Sequence, residues 1–257
     1  MRWGTVGDKD PCRLHARIRS QEACAAATER VLAAAGKYAN RLHLLHISTL
    51  AEALLLDDKR PVRNKRVTAE ACLPHLYFSD QDYQRLGNSI KWNPAIKTSG
   101  DKQGLLYALL TGHLDIIATD HAPHLPAEKK GGYLEAKSGG PLVQHALQML
   151  MELCRQGQIS LTQIVEKTSH HVAEVYRIPD RGYIREGYYA DLVLVDPGLP
   201  ATVTKDTLYY KCGWSPLEGQ TFQSSVIHTW VNGRLVFNKE KFDQNVRGMR
   251  LHFEKVR

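Results

Sequence analysis

From about residue 20 to residue 176, short apolar runs alternate with stretches that have helical periodicity. Short apolar runs of this kind are typical of strands buried in a parallel sheet. Neighbouring parallel strands need a crossover connection, and the helical stretches between the runs can supply it. The alternation therefore predicts an α/β fold. After residue 178 strand patterns dominate, and we expect a β-rich segment there.

Three runs are predicted as strands of the parallel sheet: Arg41–Ile47, Arg66–Cys72 and Asp115–Ala118, with a weaker candidate at Ser89–Trp92. The first predicted helix begins at a cap at Ser20 and stops at Gly36, and the second runs from Ala51 to Leu56 behind a cap at Ser48 or Thr49. Two further helices are predicted at Asp101–Thr111 and Val143–Arg155. Two short helices are predicted between Ser160 and Tyr176. In the tail, strands are predicted at Tyr183–Ile184 and Ala190–Val195, and a hairpin at Val226–Phe237 that turns at Asn232–Gly233.

Composition indicates a globular protein with reduced cysteines. Hydrophobic residues make up 43% and charged residues 24% of the chain, as in ordinary folded domains. No apolar run approaches the roughly 18 residues of a membrane-spanning helix, and residues 1–20 lack the apolar core of a secretory signal. The five cysteines are scattered and form no C-x-x-C pair. We therefore expect a cytoplasmic protein with no membrane contact and no structural zinc knuckle.

The positive charge is spread along the chain, with 34 Lys and Arg against 27 Asp and Glu. The densest basic stretch is Lys59–Arg66. A surface for single-stranded nucleic acid would interleave aromatic residues for base stacking, and this stretch has none. We interpret it as a solvated loop and expect no nucleic-acid partner.

Polar residues stand at the ends of two predicted strands. His46 lies near the end of the first strand, and Asp120 follows the Asp115–Ala118 strand within the run TDHAPH at residues 119–124. Functional sites of parallel α/β folds are built at the carboxyl ends of strands. A histidine and an aspartate are suitable ligands for a divalent metal. Taken singly, His46 also fits a hydrogen-bonded core histidine, and Asp120 also fits a helix cap.

Nine segments of the sequence together resemble the dihydroorotases of the amidohydrolase superfamily, and their order and spacing fit that family. The segments are IRSQEAC (18–24), LHLLHIST (42–49), TAEACLPHLYF (68–78), IKWNPAIK (90–97), ATDHAPH (118–124), SGGPLVQHAL (138–147), GYIREGYYADLVLVD (182–196), CGWSPLEG (212–219) and HTWVNGRLVF (228–237). The preference for dihydroorotase over hydantoinase or allantoinase rests mainly on the NPAIK and TDHAPH contexts.

The resemblance implies a TIM-like (β/α)8 barrel with one or two metals, usually zinc, at the carboxyl face of the strands. His46 matches the family's metal ligand on the sixth strand. Asp120 matches the eighth-strand aspartate that contacts metal and carries the proton during catalysis. The pair Pro74-His75 stands where members of the family more commonly have His-His or Gln-His before a leucine. Because the pair differs, we assign His75 no role.

The resemblance also implies a set of substrate-binding residues. Asn93 and His124 match residues that hold the ring and the carboxylate of the substrate. Ser138 and Gly139 fall in the segment whose backbone touches the substrate. The implied reaction is the interconversion of dihydroorotate and N-carbamoyl-L-aspartate, a step of pyrimidine biosynthesis. The alternatives are another cyclic amidohydrolase, such as a hydantoinase or allantoinase, and a non-catalytic scaffold protein.

The length of the chain does not accommodate a complete barrel. Only 45 residues precede His46, whereas five preceding βα units would need on the order of 130 to 150. Residues 1–42 contain no His-x-His of the family's first strand, and the fourth-strand lysine and fifth-strand histidine have no counterpart. We therefore expect residues 1–178 to form the sixth to eighth strand units of a barrel and residues 179–257 the β-rich carboxyl-terminal segment.

Three explanations of this half-length remain open. The sequence is an incomplete gene product, a split protein that pairs with a separate amino-terminal half, or a pseudo-enzyme. A homodimer is a further expectation for the assembly. In the first two cases the metal site would be completed by residues outside this sequence.

Overall fold

The computed structural model describes residues 12–239 and 241–254. The chain divides into two compact units, and each is described by itself. The first contains Met1–Ala146 and Val203–Gly219, and the second contains Leu147–Thr202 and Gln220–Arg257. The division predicted at residue 178 stays a prediction. Residues 1–11, which form half of the stretch searched for a signal sequence, lie outside the described residues.

The first unit is built on a three-stranded parallel sheet, as the alternation of strands and helices predicted. Its strands are β1 (Leu42–Ile47), β2 (Val67–Cys72) and β3 (Ile116–Ala118), in the order β1-β2-β3. The register pairs Leu42 with Val67 and Cys72 with Ala118. Parallel pairing brings the carboxyl ends of all three strands to one edge of the sheet.

The helices of the first unit are α1 (His15–Ile18), α2 (Gln21–Tyr38), α3 (Leu50–Ala53), α4 (Leu73–Tyr77), α5 (Tyr83–Leu86) and α6 (Ser99–Leu110). Side-chain caps begin three of them. Ser20 accepts from the amide of Ala23, Thr49 from Glu52 and Thr98 from Asp101, and each bond satisfies an amide that the first helical turn leaves free. The predicted cap at Ser20 is therefore confirmed, and Thr49 is the cap of α3.

The structure differs from the strand predicted at Ser89–Trp92 and from the end predicted for the first long helix. No strand forms at Ser89–Trp92, where a 3₁₀ turn at Gly87–Ile90 leads into an irregular loop. Its buried apolar residues pack without pairing to a strand, and an apolar pattern reports burial rather than backbone hydrogen bonding. Helix α2 does not stop at Gly36 but continues to Tyr38, because Ala39 takes the left-handed conformation (φ 56°) that ends it.

Burial differs strongly between the strands of this sheet. Strand β2 lies at the centre and is buried from Thr68 to Cys72. Strand β1 was predicted as a buried strand, but most of it is half-exposed and Leu45 is 55% exposed. In the described part of the chain β1 pairs on one side only, so half of its backbone edge lacks a partner strand.

The second unit combines short helices with an antiparallel sheet. Its helices are α7 (Ala146–Arg155), α8 (Leu161–Val165) and α9 (His171–Tyr176), the last two joined by a π-helical turn. Its main sheet has the order β4-β7-β8-β9, from β4 (Leu192–Asp196), β7 (Ser225–Val231), β8 (Arg234–Asn238) and β9 (Lys241–Phe242). A second pair joins β5 (Ala201–Thr202) to β6 (Thr221–Phe222).

The tail predictions are mostly confirmed. The hairpin of β7 and β8 turns at Asn232–Gly233, where both residues have positive φ (52° and 77°), as a two-residue hairpin turn requires. The strand predicted at Tyr183–Ile184 is wrong, because these two residues belong to none of the described sheets and Ile184 is 88% exposed. Among the helices that the structure describes, none has the length and apolarity needed to cross a membrane.

Candidate active site at the ends of the parallel strands

His46 and Asp120 lie at the carboxyl ends of β1 and β3, the two strands that flank β2. His46 has φ 43° and Asp120 has φ 47°, so both are in the left-handed region. This conformation is uncommon for residues with a side chain and is found at functional sites. At His46 it coincides with a break in the register between Leu44 and Ile47. The break re-aims the end of β1, as bulges beside active sites do.

The Asp120 carboxylate is the most unusual group of the site. Its Oδ2 atom is buried and has no hydrogen-bond partner among the described residues. Burial raises the pKa of Asp120, the nearby His46 opposes that shift, and the Glu70 carboxylate adds to it. No helix begins at residues 119–125, so the structure does not support the helix-cap interpretation of Asp120.

Glu70 on β2 connects the site to the interior of the sheet. It accepts hydrogen bonds from the His46 amide at 3.3 Å, from His43 Nε2 at 3.1 Å and from the Cys72 thiol at 3.4 Å. Burial works to raise the pKa of Glu70, but the bonds from His43 and Cys72 outweigh it and hold the pKa below its usual value. An ionised Glu70 beside Asp120 contributes to keeping the Asp120 carboxyl easy to protonate.

The donor set fits part of a metal site. An unpaired, buried carboxylate oxygen beside an imidazole is what a divalent cation would engage. Zinc sites in proteins normally use three or four protein ligands. The described residues contain no group of three or more His, Cys, Asp or Glu side chains arranged to hold a metal ion. His46 and Asp120 therefore fit as two members of a ligand set that this part of the chain does not complete.

The segment that carries His124 packs against the segment that carries Ser138 and Gly139. His124 Nε2 donates to the carbonyl of Ser138 at 3.0 Å. A side chain on Gly139 would meet the Ala122 carbonyl oxygen at 2.5 Å, so only glycine allows this close approach. The exposed Asn93 follows Trp92, whose indole Nε1 donates to the Asp120 carbonyl at 3.0 Å. The substrate-binding roles of these residues stay predictions.

Two buried lysines fix the loop that carries Ser138 and Gly139. Lys129 Nζ donates to the carbonyls of Lys137 at 2.8 Å and Gly139 at 2.6 Å. Lys91 Nζ donates to the carbonyls of Tyr133 and Ala136, each at 2.5 Å. Burial lowers the pKa of Lys129 to about 8. Each ammonium group therefore cross-links backbone carbonyls and stabilises the loop that carries Ser138 and Gly139.

His75 is buried directly after β2, with Nε2 donating to the Pro94 carbonyl at 2.9 Å. Its Nδ1 has no hydrogen-bond partner among the described residues. Burial lowers the pKa of His75 to about 4, so the ring is neutral near pH 7. We assigned no role to His75 from the sequence, and in the structure its contact with Pro94 holds the loop after Asn93 against α4.

Sequence reasoning missed Glu70, Trp92 and Lys129. A signal existed for Glu70, because a lone carboxylate inside a predicted buried strand needs a partner. Trp92 and Lys129 gave no such signal, since their hydrogen bonds go to backbone carbonyls that the sequence does not single out. The basic stretch Lys59–Arg66 is largely an exposed loop, as predicted, but Lys65 is buried and pairs with Asp115.

A parallel sheet that is connected by helices and carries a histidine and an aspartate at the ends of its outer strands places the first unit in the α/β class. The chain belongs to the amidohydrolase family, whose sequence profile matches residues 26–236. This confirms the resemblance found in the sequence.

Individual relatives agree with that membership. A dihydroorotase from Halobacterium salinarum is 34% identical over 201 residues, which are 78% of this chain and 46% of that protein. An allantoinase from Bacillus velezensis is 30% identical over 226 residues, which are 88% of this chain and 49% of that protein. A solved dihydropyrimidinase from Brevibacillus agri is similar with a TM-score of 0.82 at 26% identity, over 91% of this chain and 53% of that one. The chain spans about half the length of the relatives it matches.

Proposed function

We propose that this chain forms the carboxyl-terminal part of a (β/α)8 barrel and its β-rich segment, in a cytoplasmic enzyme that interconverts dihydroorotate and N-carbamoyl-L-aspartate. The observation that carries this proposal is the buried, unpartnered Oδ2 of Asp120, electrostatically coupled to His46 at the neighbouring strand end. The identity to dihydroorotases supports the choice of substrate.

Asp120 is proposed as the catalytic base and proton carrier. Opening the ring requires water to lose a proton as it attacks the amide carbonyl, and the ring nitrogen to gain one as the C–N bond breaks. The Asp120 carboxylate takes the first proton and delivers it to the nitrogen. A carboxyl pKa raised by burial suits this role, because general acid–base groups work best near the operating pH. The upward shift of the Asp120 pKa therefore suits a group that accepts and returns a proton.

His46 and Asp120 would hold the metal, which we propose is zinc. When bound, such a metal lowers the pKa of water to about 7. Asn93 and His124 would hold the anionic substrate by hydrogen bonds and charge, with the backbone of Ser138 and Gly139 along its edge. Holding the reacting groups in place contributes to rate because less orientational freedom is lost on the way to the transition state.

Activity would require the remaining strands and ligands of the barrel. In the described part of the chain the outer edge of β1 has no partner strand, and Leu45 on that strand is largely exposed. We propose that an amino-terminal barrel half pairs along β1, either as part of a longer chain or as a separate protein. A homodimer is the alternative assembly.

A hydantoinase or allantoinase reaction is the second candidate. It is favoured by the allantoinase relative at 30% identity and by the structural similarity to a dihydropyrimidinase. The test is ring opening of dihydroorotate, hydantoin and allantoin by the chain completed with an amino-terminal half. Turnover of hydantoin or allantoin in preference to dihydroorotate would replace the substrate assignment. Absence of turnover on all three would favour the non-catalytic scaffold.

The Asp120→Asn variant of that completed enzyme should lose at least about a hundredfold in kcat, because general acid–base groups contribute 10²–10⁴-fold. His124→Ala should mainly raise KM, since its proposed contact is with the substrate. The matched control is Asp101→Asn, an aspartate of the same unit that bonds Thr98 and Gln21. Near-normal kcat in Asp120→Asn, with a lowered melting temperature, would reduce Asp120 to a structural residue.

The 257-residue chain alone should retain much less than one zinc ion per chain after dialysis, and should show no ring opening. Two protein ligands are fewer than zinc sites normally use. Metal analysis of the dialysed chain measures this directly. One firmly held zinc per chain together with turnover would show that the site is complete without further residues.

A further inference from the structure

The backbone of Asp120 needs an external constraint. A non-glycine residue at φ 47° is strained, and such a conformation persists only where the surroundings fix it. The side chain of Asp120 does not supply the constraint, because Oδ2 has no hydrogen-bond partner among the described residues. A hydrogen bond to the backbone of Asp120 would supply such a constraint.

Trp92 supplies a hydrogen bond to that backbone. Its indole Nε1 donates to the Asp120 carbonyl oxygen at 3.0 Å, across 28 positions of sequence. Trp92 is 1% exposed, so the donor of this bond is shielded from competing water, whereas Asp120 is half-buried. An indole has one hydrogen-bond donor and no acceptor. In Trp92 that donor binds the Asp120 carbonyl.

Trp92 is itself held from two sides. His15 Nε2 donates to the Trp92 carbonyl at 2.6 Å, and His15 is buried. The far edge of the indole ring lies against Gly140, where an added Cβ would come within 2.5 Å of the ring. The ring therefore fills a space that exists because residue 140 has no side chain. A tryptophan fixed in this way can transmit its position to Asp120.

Trp92 also lies next to two segments that carry proposed substrate-binding residues. Asn93 is its neighbour in the chain, and Gly140 directly follows Ser138 and Gly139. The amide of Gly139 also donates to the carbonyl of Lys91, on the other side of Trp92, at 2.7 Å. Trp92 thus joins the segment of Asn93, the segment of Ser138 and the backbone of Asp120.

We propose that Trp92 is a positioning residue of the active site, which holds Asp120 in its left-handed conformation and so aims the carboxylate. This inference rests on the proposed function for its catalytic meaning, but not for its structural content. The competing interpretation is that Trp92 is only a large core side chain. A phenylalanine would then replace it with some loss of stability and no effect specific to Asp120.

The experiment uses the fact that Asp120–His121 is the one Asp-His pair in the sequence. Labelling Asp with ¹³C at the carbonyl and His with ¹⁵N on the amide gives a single carbonyl signal, that of Asp120. The signal is recorded by solid-state NMR on the full chain, which tolerates self-association, for wild type, Trp92→Phe and the control Trp214→Phe. The control removes a similar bond, from Trp214 Nε1 to the His124 carbonyl at 2.7 Å.

We expect the Asp120 carbonyl signal to move upfield or divide in Trp92→Phe and to stay in place in Trp214→Phe. Zinc added to the chain should perturb the wild-type signal, and about 10–100-fold more zinc should be needed in Trp92→Phe, the usual cost of removing a group that orients a metal ligand. An unmoved signal in a folded Trp92→Phe chain would overturn the positioning role.

A second measurement covers the case in which Trp92→Phe does not fold. In wild type, ¹⁵N at the indole nitrogens and ¹³C at the Asp carbonyls should show the dipolar coupling of a directly hydrogen-bonded pair. Absence of that coupling would overturn the proposal. If zinc leaves the wild-type signal unchanged while Trp92→Phe shifts it, the backbone constraint stands and the metal role of Asp120 fails.

Discussion

Strands β2 and β4 show that burial in this chain does not follow hydropathy. Strand β2 has the sequence VTAEAC, with a threonine and a glutamate, and is almost completely buried. Strand β4 reads LVLVD and is more apolar, yet Val193 and Leu194 are 49% and 48% exposed. The difference lies in their neighbours, because in the described part of the chain β2 is flanked by strands on both sides and β4 pairs on one edge only.

Buried polar side chains occur where adjacent strands supply hydrogen-bond donors to them. Inside the first unit a buried carboxylate is sustained by donors on adjacent strands, as Glu70 is by His43 and the His46 amide. Around β4, exposed aliphatic side chains have no such cover in the described residues. A buried sheet centre can hold a fixed polar site, whereas an exposed apolar strand marks a surface that a partner would stabilise.

The largest expected effect on stability comes from breaking the buried ion pair between Lys65 and Asp115. Lys65 Nζ lies 2.7 Å from Asp115 Oδ1 with both side chains almost fully buried, and Asp115 Oδ2 accepts from the Ala69 amide of β2 at 2.9 Å. Lys65→Met removes the cation beside the buried Asp115 carboxylate, and should lower the free energy of unfolding by about 3–5 kcal/mol in urea titration.

The matched control for this variant is Arg155→Met, which removes the exposed pair with Glu152 in the second unit. It should leave stability unchanged, because exposed ion pairs contribute little. A Lys65→Met variant as stable as the control would show that the buried pair does not support the sheet.

The second effect is a loss of stability in acid that originates in the first unit. Burial lowers the pKa of His15, His75 and His145 from 6.5 to about 4. Between these two pH values the unfolded chain binds more protons than the folded chain, so the free energy of unfolding falls as pH falls from about 6.5 to about 4. Urea titrations across this window measure the slope, and His145→Gln should reduce it. A flat profile would contradict neutral burial of these rings.

The smallest effect on folding should come from β4. Leu194→Lys should change the free energy of unfolding by no more than about 0.5 kcal/mol, the usual range for exposed positions. It should nevertheless reduce self-association in sedimentation velocity, because it puts a charge on an exposed apolar strand. The buried counterpart, Ile116→Ala in β3, should cost about 2–5 kcal/mol. Equal destabilisation by both variants would remove the contrast between the two sheets.

Much of the local structure could be predicted from sequence. The three parallel strands, the cap at Ser20, the Asn232–Gly233 turn and the two short helices after Ser160 all follow from patterns within a few residues. The misplaced strands at Ser89–Trp92 and Tyr183–Ile184 have apolar residues but no strand beside them to pair with. Pairing is a property of two segments, which a pattern within one segment does not report.

The sequence by itself determined the family, the order of the strands, and the choice of His46 and Asp120 as the residues at their ends. Only the tertiary structure decided that both residues adopt left-handed backbones, that Glu70 and Trp92 bond to those backbones, and that β2 rather than β4 is buried. The physical reason is distance along the chain. The bonds from His46 to Glu70 and from Trp92 to Asp120 span 24 and 28 positions, and the burial of a strand depends on neighbours that its own residues do not specify.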